Sequence, residues 1–288
     1  MTGERRRVVV DAVTGGHSGG MSAMQYRRYS PDPRLAETVE HYWAVAAPSH
    51  PEPVRAVLIP NGRATVQFCL GEAGRRLRRG SASAEENADV FLPVTTEPYV
   101  LVQSGRSHYV GVQFTPWGAA TIWPDAPRDP TPIGELVADR PTEAALKDDP
   151  CAALDRWLLT QSARGTVPVG RELVVSAVRL VDQDGEGLTV ASLATALGVS
   201  TATLYRAFRR WVGISPKEYL SIRRYDRFTS ELLALSHGDS SAMLAAAAGY
   251  ADQSHAAREF KRHTGMSASA FRDRQDGIAE MMFRRMPP

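Results

Sequence analysis

Two stretches of this 288-residue chain repeat one local plan about fifty residues apart, and that repeat constrains the fold more than any other feature. The first stretch begins at Leu188. Thr189 can cap a helix in which Val190, Leu193, Ala194 and Leu197 share one face. Gly198-Val199 ends it, with Gly suited to the left-handed conformation after a helix. Ser200 then caps a second helix whose inward face is Leu204, Ala207, Phe208, Trp211 and Val212. In the second stretch Ser241 to Ala248 favours helix and Gly249-Tyr250 supplies the turn. Asp252 caps a helix running to His263 with Phe260 inward. Gly213-Ile214-Ser215-Pro216 after the first unit is echoed by Gly265-Met266-Ser267-Ala268 after the second. Taken singly, the first unit leaves a plain helical hairpin as the alternative; two on one plan read as paired helix-turn-helix units. Lys217 to Leu235 predicts one long helix linking them, with Arg223, Arg224 and Arg227 along it.

The net charge of +2 says little until it is divided. Residues 1–170 carry 18 basic and 19 acidic side chains, and residues 171–288 carry 16 and 13. Residues 200–274 alone hold 12 basic and 7 acidic groups, a local surplus of +5 that suits an anionic partner.

The part before the repeat has a different texture. Residues 1–21, ending in a Gly-rich run through Thr14 to Gly20, read as a disordered lead, and Met21 and Met24 stand as alternative starts. From Tyr26 to about Gly118 short apolar runs are cut by Pro, Gly and Asn. Val54 to Pro60 and Ala64 to Leu70 flank the turn dipeptide Asn61-Gly62, as in a hairpin. Val90 to Val94, Tyr99 to Gln103 and Tyr109 to Phe114 continue at strand spacing, whereas residues 34–43 (Leu35, Ala36, Val39, Trp43) have helical spacing. Many short strands with turns predict a sandwich or small barrel able to enclose a ligand. Helices are expected over Ile133 to Ala138, Ala152 to Ser162 and Arg171 to Val181, with the domain boundary near Gly165–Gly170. The resulting division is a lead over 1–21, a β-rich regulatory or dimerisation domain over 22–168, a helical DNA-binding domain over 169–276 and a tail over 277–288.

At the repeat, the sequence resembles the AraC/XylS family of bacterial transcription regulators over roughly residues 171–274. The resemblance is carried by Leu193-Ala194 through Gly213-Ile214-Ser215-Pro216, and by Gly249-Tyr250-Ala251-Asp252-Gln253-Ser254-His255 through Phe260-Lys261-Arg262. Ser215-Pro216-Lys217 with Arg223-Arg224-Tyr225 is similar to one subgroup. Val57 to Gly62 and Tyr109 to Pro116 match strand motifs of that same subgroup. The resemblance implies an α+β multidomain fold: an N-terminal cupin-like, jelly-roll domain with flanking helices, and a C-terminal all-α double helix-turn-helix.

It also implies two recognition helices in successive major grooves of double-stranded DNA, roughly 34 Å apart. Matched residue by residue, the base-reading positions are Ala202, Tyr205 and Arg206 in the first unit. In the second they are Gln253, Ser254, His255 and Arg258. Arg206 suits guanine, Gln253 suits adenine and Ala202 suits a thymine methyl. Thr201, Arg209, Arg210, Lys261 and Arg262 are the phosphate candidates. The second unit departs from the family pattern: Ala256 replaces the usual aromatic, Ser241 and Ala248 are small, and Ala268 replaces the usual Pro. Phe228 stands on the linking helix where a small residue is common and is placed to refill that space. The second unit is therefore expected to be the less stable and the weaker contributor to affinity.

No cofactor and no metal are expected, and the reading is not an enzyme. Seven histidines include no His-x-His pair, and His41, His50 and His108 lack ligand spacing with a carboxylate. His41 and Trp43 read as a packing pair, Cys69 as a buried apolar residue, and Trp117 and Trp123 as core rather than pocket. A cupin-type enzyme fused to a DNA-binding domain would need metal ligands that are not found. Two distant cysteines and no apolar run of bilayer length predict a cytoplasmic chain with no membrane partner. The expected function is transcription regulation, activation by family habit, modulated through the N-terminal domain. A small-molecule effector, a homodimer through the Ala152 to Ser162 helix and RNA polymerase are open as partners, and control without a small molecule is the alternative.

Overall fold

The computed structural model describes residues 8–12, 24–49, 52–78, 83–164, 170–183, 187–234, 253–265 and 267. Its N-terminal part is two antiparallel sheets. The larger runs in the order β1 (Val8–Ala12), β2 (Gln25–Tyr29), β3 (Val39–Ala47), β10 (Ser107–Phe114), β5 (Thr65–Cys69), β8 (Val90–Leu92) and β11 (Thr131–Pro132). The smaller runs β4 (Val54–Leu58), β9 (Tyr99–Gln103), β6 (Gly74–Arg78) and β7 (Ala84–Asn87). The eight central strands therefore lie as β3-β10-β5-β8 over β4-β9-β6-β7, the strand order of a jelly roll, the architecture cupins share.

Strand alternation decides what each face buries. Val110, Val112 and Phe114 of β10 join Val66, Phe68 and Tyr42 in a core covered by α1 (Gly118–Ile122), α3 (Glu143–Asp148) and α4 (Pro150–Ser162). Trp123 closes that core with edge-on contacts to Phe91 and Phe114 at 6.2 and 5.7 Å, as expected of a core residue. The other face bridges to the smaller sheet through polar groups. Gln67 Nε2 donates to Asn87 Oδ1 at 2.9 Å, and Gly74 N donates to the Tyr109 hydroxyl at 2.9 Å.

Several sequence expectations change here. Residues 34–43 are a 3-10 turn (Pro33–Leu35) followed by β3, not a helix. Hydrogen-bond ladders to β2 on one side and β10 on the other outweigh a short run of helical spacing. Val54–Leu58 and Thr65–Cys69 are strands but belong to different sheets, so Asn61-Gly62 makes a crossing between sheets rather than a hairpin. Within the expected disordered lead, Val8–Ala12 forms an edge strand on β2, because its β-branched run finds an unpaired edge. The strands β6 and β7 had no apolar signal. They pair through opposite charges, Arg76 across from Glu85 and Arg75 across from Glu86. Cys69 is half-buried rather than buried, and burial pushes its thiol up, which disfavours a nucleophile. Finally, α4 faces Leu154, Trp157 and Leu158 into the β core, so that apolar face is already covered and does not offer a two-fold interface.

A short helix α2 (Ile133–Leu136) follows β11, and the C-terminal part holds α5 (Arg171–Gln183), α6 (Val190–Ala196), α7 (Thr201–Trp211), α8 (Pro216–Ala234) and α9 (Gln253–Thr264). Its core joins Val174, Val178, Leu193, Leu204, Phe208 and Trp211, and Val94, Trp117 and Ala120 of the β part pack against it. Packing thus crosses the expected boundary near residues 165–170. Gly62 shows how close the two parts come. At φ +75° it carries no side chain, and a Cβ there would lie 2.9 Å from Tyr219 Cε2 of α8. Trp117 Nε1 and the Arg171 guanidinium both reach Glu37, at 2.8 Å to its carbonyl and 3.0 Å to its carboxylate. No described helix is long and apolar enough to cross a membrane.

Candidate nucleic-acid interface

The first helix-turn-helix is built from local signals. Thr189 Oγ1 accepts from Ser192 N at 3.1 Å while Ser192 Oγ accepts from Thr189 N at 2.9 Å, a reciprocal cap that starts α6. Gly198 then takes φ +64°, and Ser200 Oγ accepts from Thr203 N at 3.1 Å to start α7. Leu204, Phe208 and Trp211 turn inward as expected, with the Phe208 ring centroid 5.5 Å from that of Tyr219 and the two rings tilted by 58°. That burial leaves Thr201, Ala202, Tyr205, Arg206, Arg209 and Arg210 on the exposed sides of α7. Tyr205 is one of only two large hydrophobic residues exposed among the described residues, at 38%. Arg206 Nη2 reaches Thr203 Oγ1 at 3.3 Å, which extends the guanidinium along the helix surface.

The first helix of the second unit, Ser241 to Ala248, and Ala268 lie outside the described residues. In α9, Phe260 and Ala256 are buried, and Ser254, Arg258, Lys261 and Arg262 are exposed. The side chains of Gln253 and His255 lie outside the described residues. Phe260 packs on Tyr225 and Phe228 of α8, with ring centroids 5.5 and 5.6 Å apart.

Not every expected cation is equally available. Arg262 Nη2 donates to Ser221 Oγ at 2.8 Å and lies 3.6 Å from Glu259. Arg223 of α8 is buried between Asp182 and Asp226, so its charge is neutralised inside the fold. Arg210 Nη1 donates to the carbonyl of Pro124 in the β part. Two arginines of the N-terminal part, Arg63 and Arg128, stand beside the helices and escaped sequence reasoning. Nothing in their local sequence shows which distant element they meet. The Arg63 guanidinium pairs with Glu40 and feels Tyr219 and Asp226 of α8, and Arg128 reaches the end of α7.

Residues 193–274 match the family described as "Helix-turn-helix domain", spanning α7, α8 and α9 and most of α6. This is an AraC-type helix-turn-helix domain. Residues 27–129, upstream of the AraC-type domain, match "Domain of unknown function (DUF6597)". A protein of Streptomyces antibioticus described as an AraC-like transcription regulator is 38% identical over 198 residues, 67% of this chain. The chain spans 62% of that relative's length. Among solved structures, ToxT from Vibrio cholerae is 7% identical with a TM-score of 0.47, covering 81% of this chain and 98% of ToxT. The C-terminal domain of AraT from Geobacillus stearothermophilus is 27% identical with a TM-score of 0.32, covering 35% of this chain and 83% of that one.

Proposed function

We propose that the chain is a sequence-specific transcription regulator that binds double-stranded DNA through α7 and α9, acting by equilibrium binding and not by bond chemistry. The observation that carries this is the exposed face of α7. A capped helix with its apolar residues buried leaves Thr201, Ala202, Tyr205 and Arg206 outward near its N-terminus, and Arg209 further along. Such a face reads base edges with its first turns and phosphates with the rest. The linking helix α8 sets the spacing of the two units, which suits successive major grooves. The N-terminal part modulates the outcome by favouring one arrangement of the DNA-binding part, a role supported by the packing of Trp117 and Ala120 into its core. We assign the chain to the cytoplasm and to activation, with RNA polymerase as the partner at the promoter.

Selection from random duplexes tests the reading: a recurring site is expected. Binding with no sequence preference and a steep salt dependence would overturn it. On the selected duplex, Arg206→Ala is expected to cost about 1–3 kcal/mol, roughly 5- to 150-fold in affinity, and to relax one position of the site. Gln253→Ala is expected to cost less, because Ala256 stands where the family pattern carries an aromatic, which makes the second unit the less firmly packed one. A gel shift in which Gln253→Ala loses more would contradict that ranking.

A further inference from the structure

The loop after α1 reaches from the β part to the C-terminal end of α7. Arg128 Nη2 donates to the Arg209 carbonyl at 2.7 Å and to the Arg210 carbonyl at 3.4 Å. Carbonyls in the last turn of a helix have no partner within it, and a cation there also meets the negative end of the helix dipole. In the other direction, Arg210 Nη1 donates to the Pro124 carbonyl and lies 3.8 Å from the Asp125 carboxylate. Gly213 makes room for this exchange. Its φ is +95°, and a Cβ there would lie 2.5 Å from Arg128 Nη1. The two arginines thus form a reciprocal clasp, each donating to main-chain carbonyls of the other part.

We propose that Arg128 is a positioning residue for α7, and that its loop and a DNA phosphate compete for Arg210. The inference rests on the DNA-binding reading of α7 given above. Two features make the clasp releasable. Arg128, Arg209 and Arg210 bring three like charges together, and burial with those two neighbours pushes the Arg128 guanidinium down. Asp125 is fully exposed and too distant from Arg210 to contribute much. A phosphate offers Arg210 a charge-assisted, bidentate partner in place of a neutral carbonyl. Any state of the N-terminal part that withdraws residues 124–128 therefore adds one phosphate contact to the first unit. With the clasp closed, α7 stays oriented but short of its full affinity.

The test is a double-mutant cycle in the full chain on the duplex enriched by selection, read as affinity against salt. Arg210→Ala alone is expected to leave the salt slope unchanged. Arg128→Ala is expected to raise low-salt affinity about fivefold and to steepen the slope by about one. The double variant should return to the wild-type slope. Arg128→Lys, which keeps a cation but loses the planar fork, is expected to move in the same direction by a smaller step. If Arg128→Ala does not fold, Arg128→Lys decides by the same criterion. A slope that falls by one on Arg210→Ala alone, or that is unmoved in both Arg128 variants, overturns the competition. Failure of wild-type protein to enrich any duplex would instead remove the DNA-binding reading beneath it.

Discussion

Lowering the pH from 6.5 towards 3 is expected to destabilise the chain by up to about 5 kcal/mol through His41 alone. His41 sits on β3 across from Gln113 of β10 and is buried. Burial pushes its imidazole down from the ordinary value of 6.5 to about 3, and the nearby Arg28 and Arg63 guanidinium groups push the same way. The sign follows from proton uptake. Unfolded chain takes a proton at His41 near pH 6.5, whereas folded chain refuses it until about 3. Stability is thus fully present above the unfolded value and is lost as pH falls through the window. Urea unfolding midpoints across this window, compared between wild type and His41→Gln, check it. Wild type should lose stability relative to His41→Gln as the pH falls. Parallel curves would show that His41 titrates normally in the folded chain.

Phe208→Ala is expected to cost about 3–5 kcal/mol, the range for truncating a fully buried aromatic. Phe208 has no exposed surface and lies at the centre of the core shared by α5, α6, α7 and α8. Its ring packs tilted against Tyr219, which in turn lies against Gly62 of the β part. The cavity would therefore loosen the support of α7 and the contact between the two parts together. Chemical denaturation gives the stability loss, and selected-duplex binding should fall with it. A loss under about 1 kcal/mol would mean that the site collapses around the missing ring. Phe260→Ala makes a useful comparison, because its ring packs on Tyr225 and Phe228 of α8.

The helical part was the more legible one, for a local reason. Caps, turn glycines and one-sided apolar spacing act within a few residues of each other. Thr189, Gly198, Ser200 and the Leu204–Phe208–Trp211 face accordingly stand where the sequence puts them. The β part was half legible. Strands with apolar runs, such as β5, β9 and β10, are visible along the chain. β6 and β7 are not, since Arg75, Arg76, Glu85 and Glu86 become strand residues only when the two segments meet. Residues 34–43 show the converse error, because helical spacing over ten residues is short enough to arise inside a strand and its preceding turn.

By itself, then, the amino-acid order determined the two-part plan, the first helix-turn-helix and the face of α7 turned outward. These depend on contacts between near neighbours. Tertiary structure alone decided which sheet each strand joined, that His41 is held neutral, that Arg223 is neutralised within the fold, and that Arg210 is held by Pro124 rather than standing free. Burial and charge are properties of what surrounds a side chain. For these residues the surroundings come from segments dozens of positions away, and no local pattern records them.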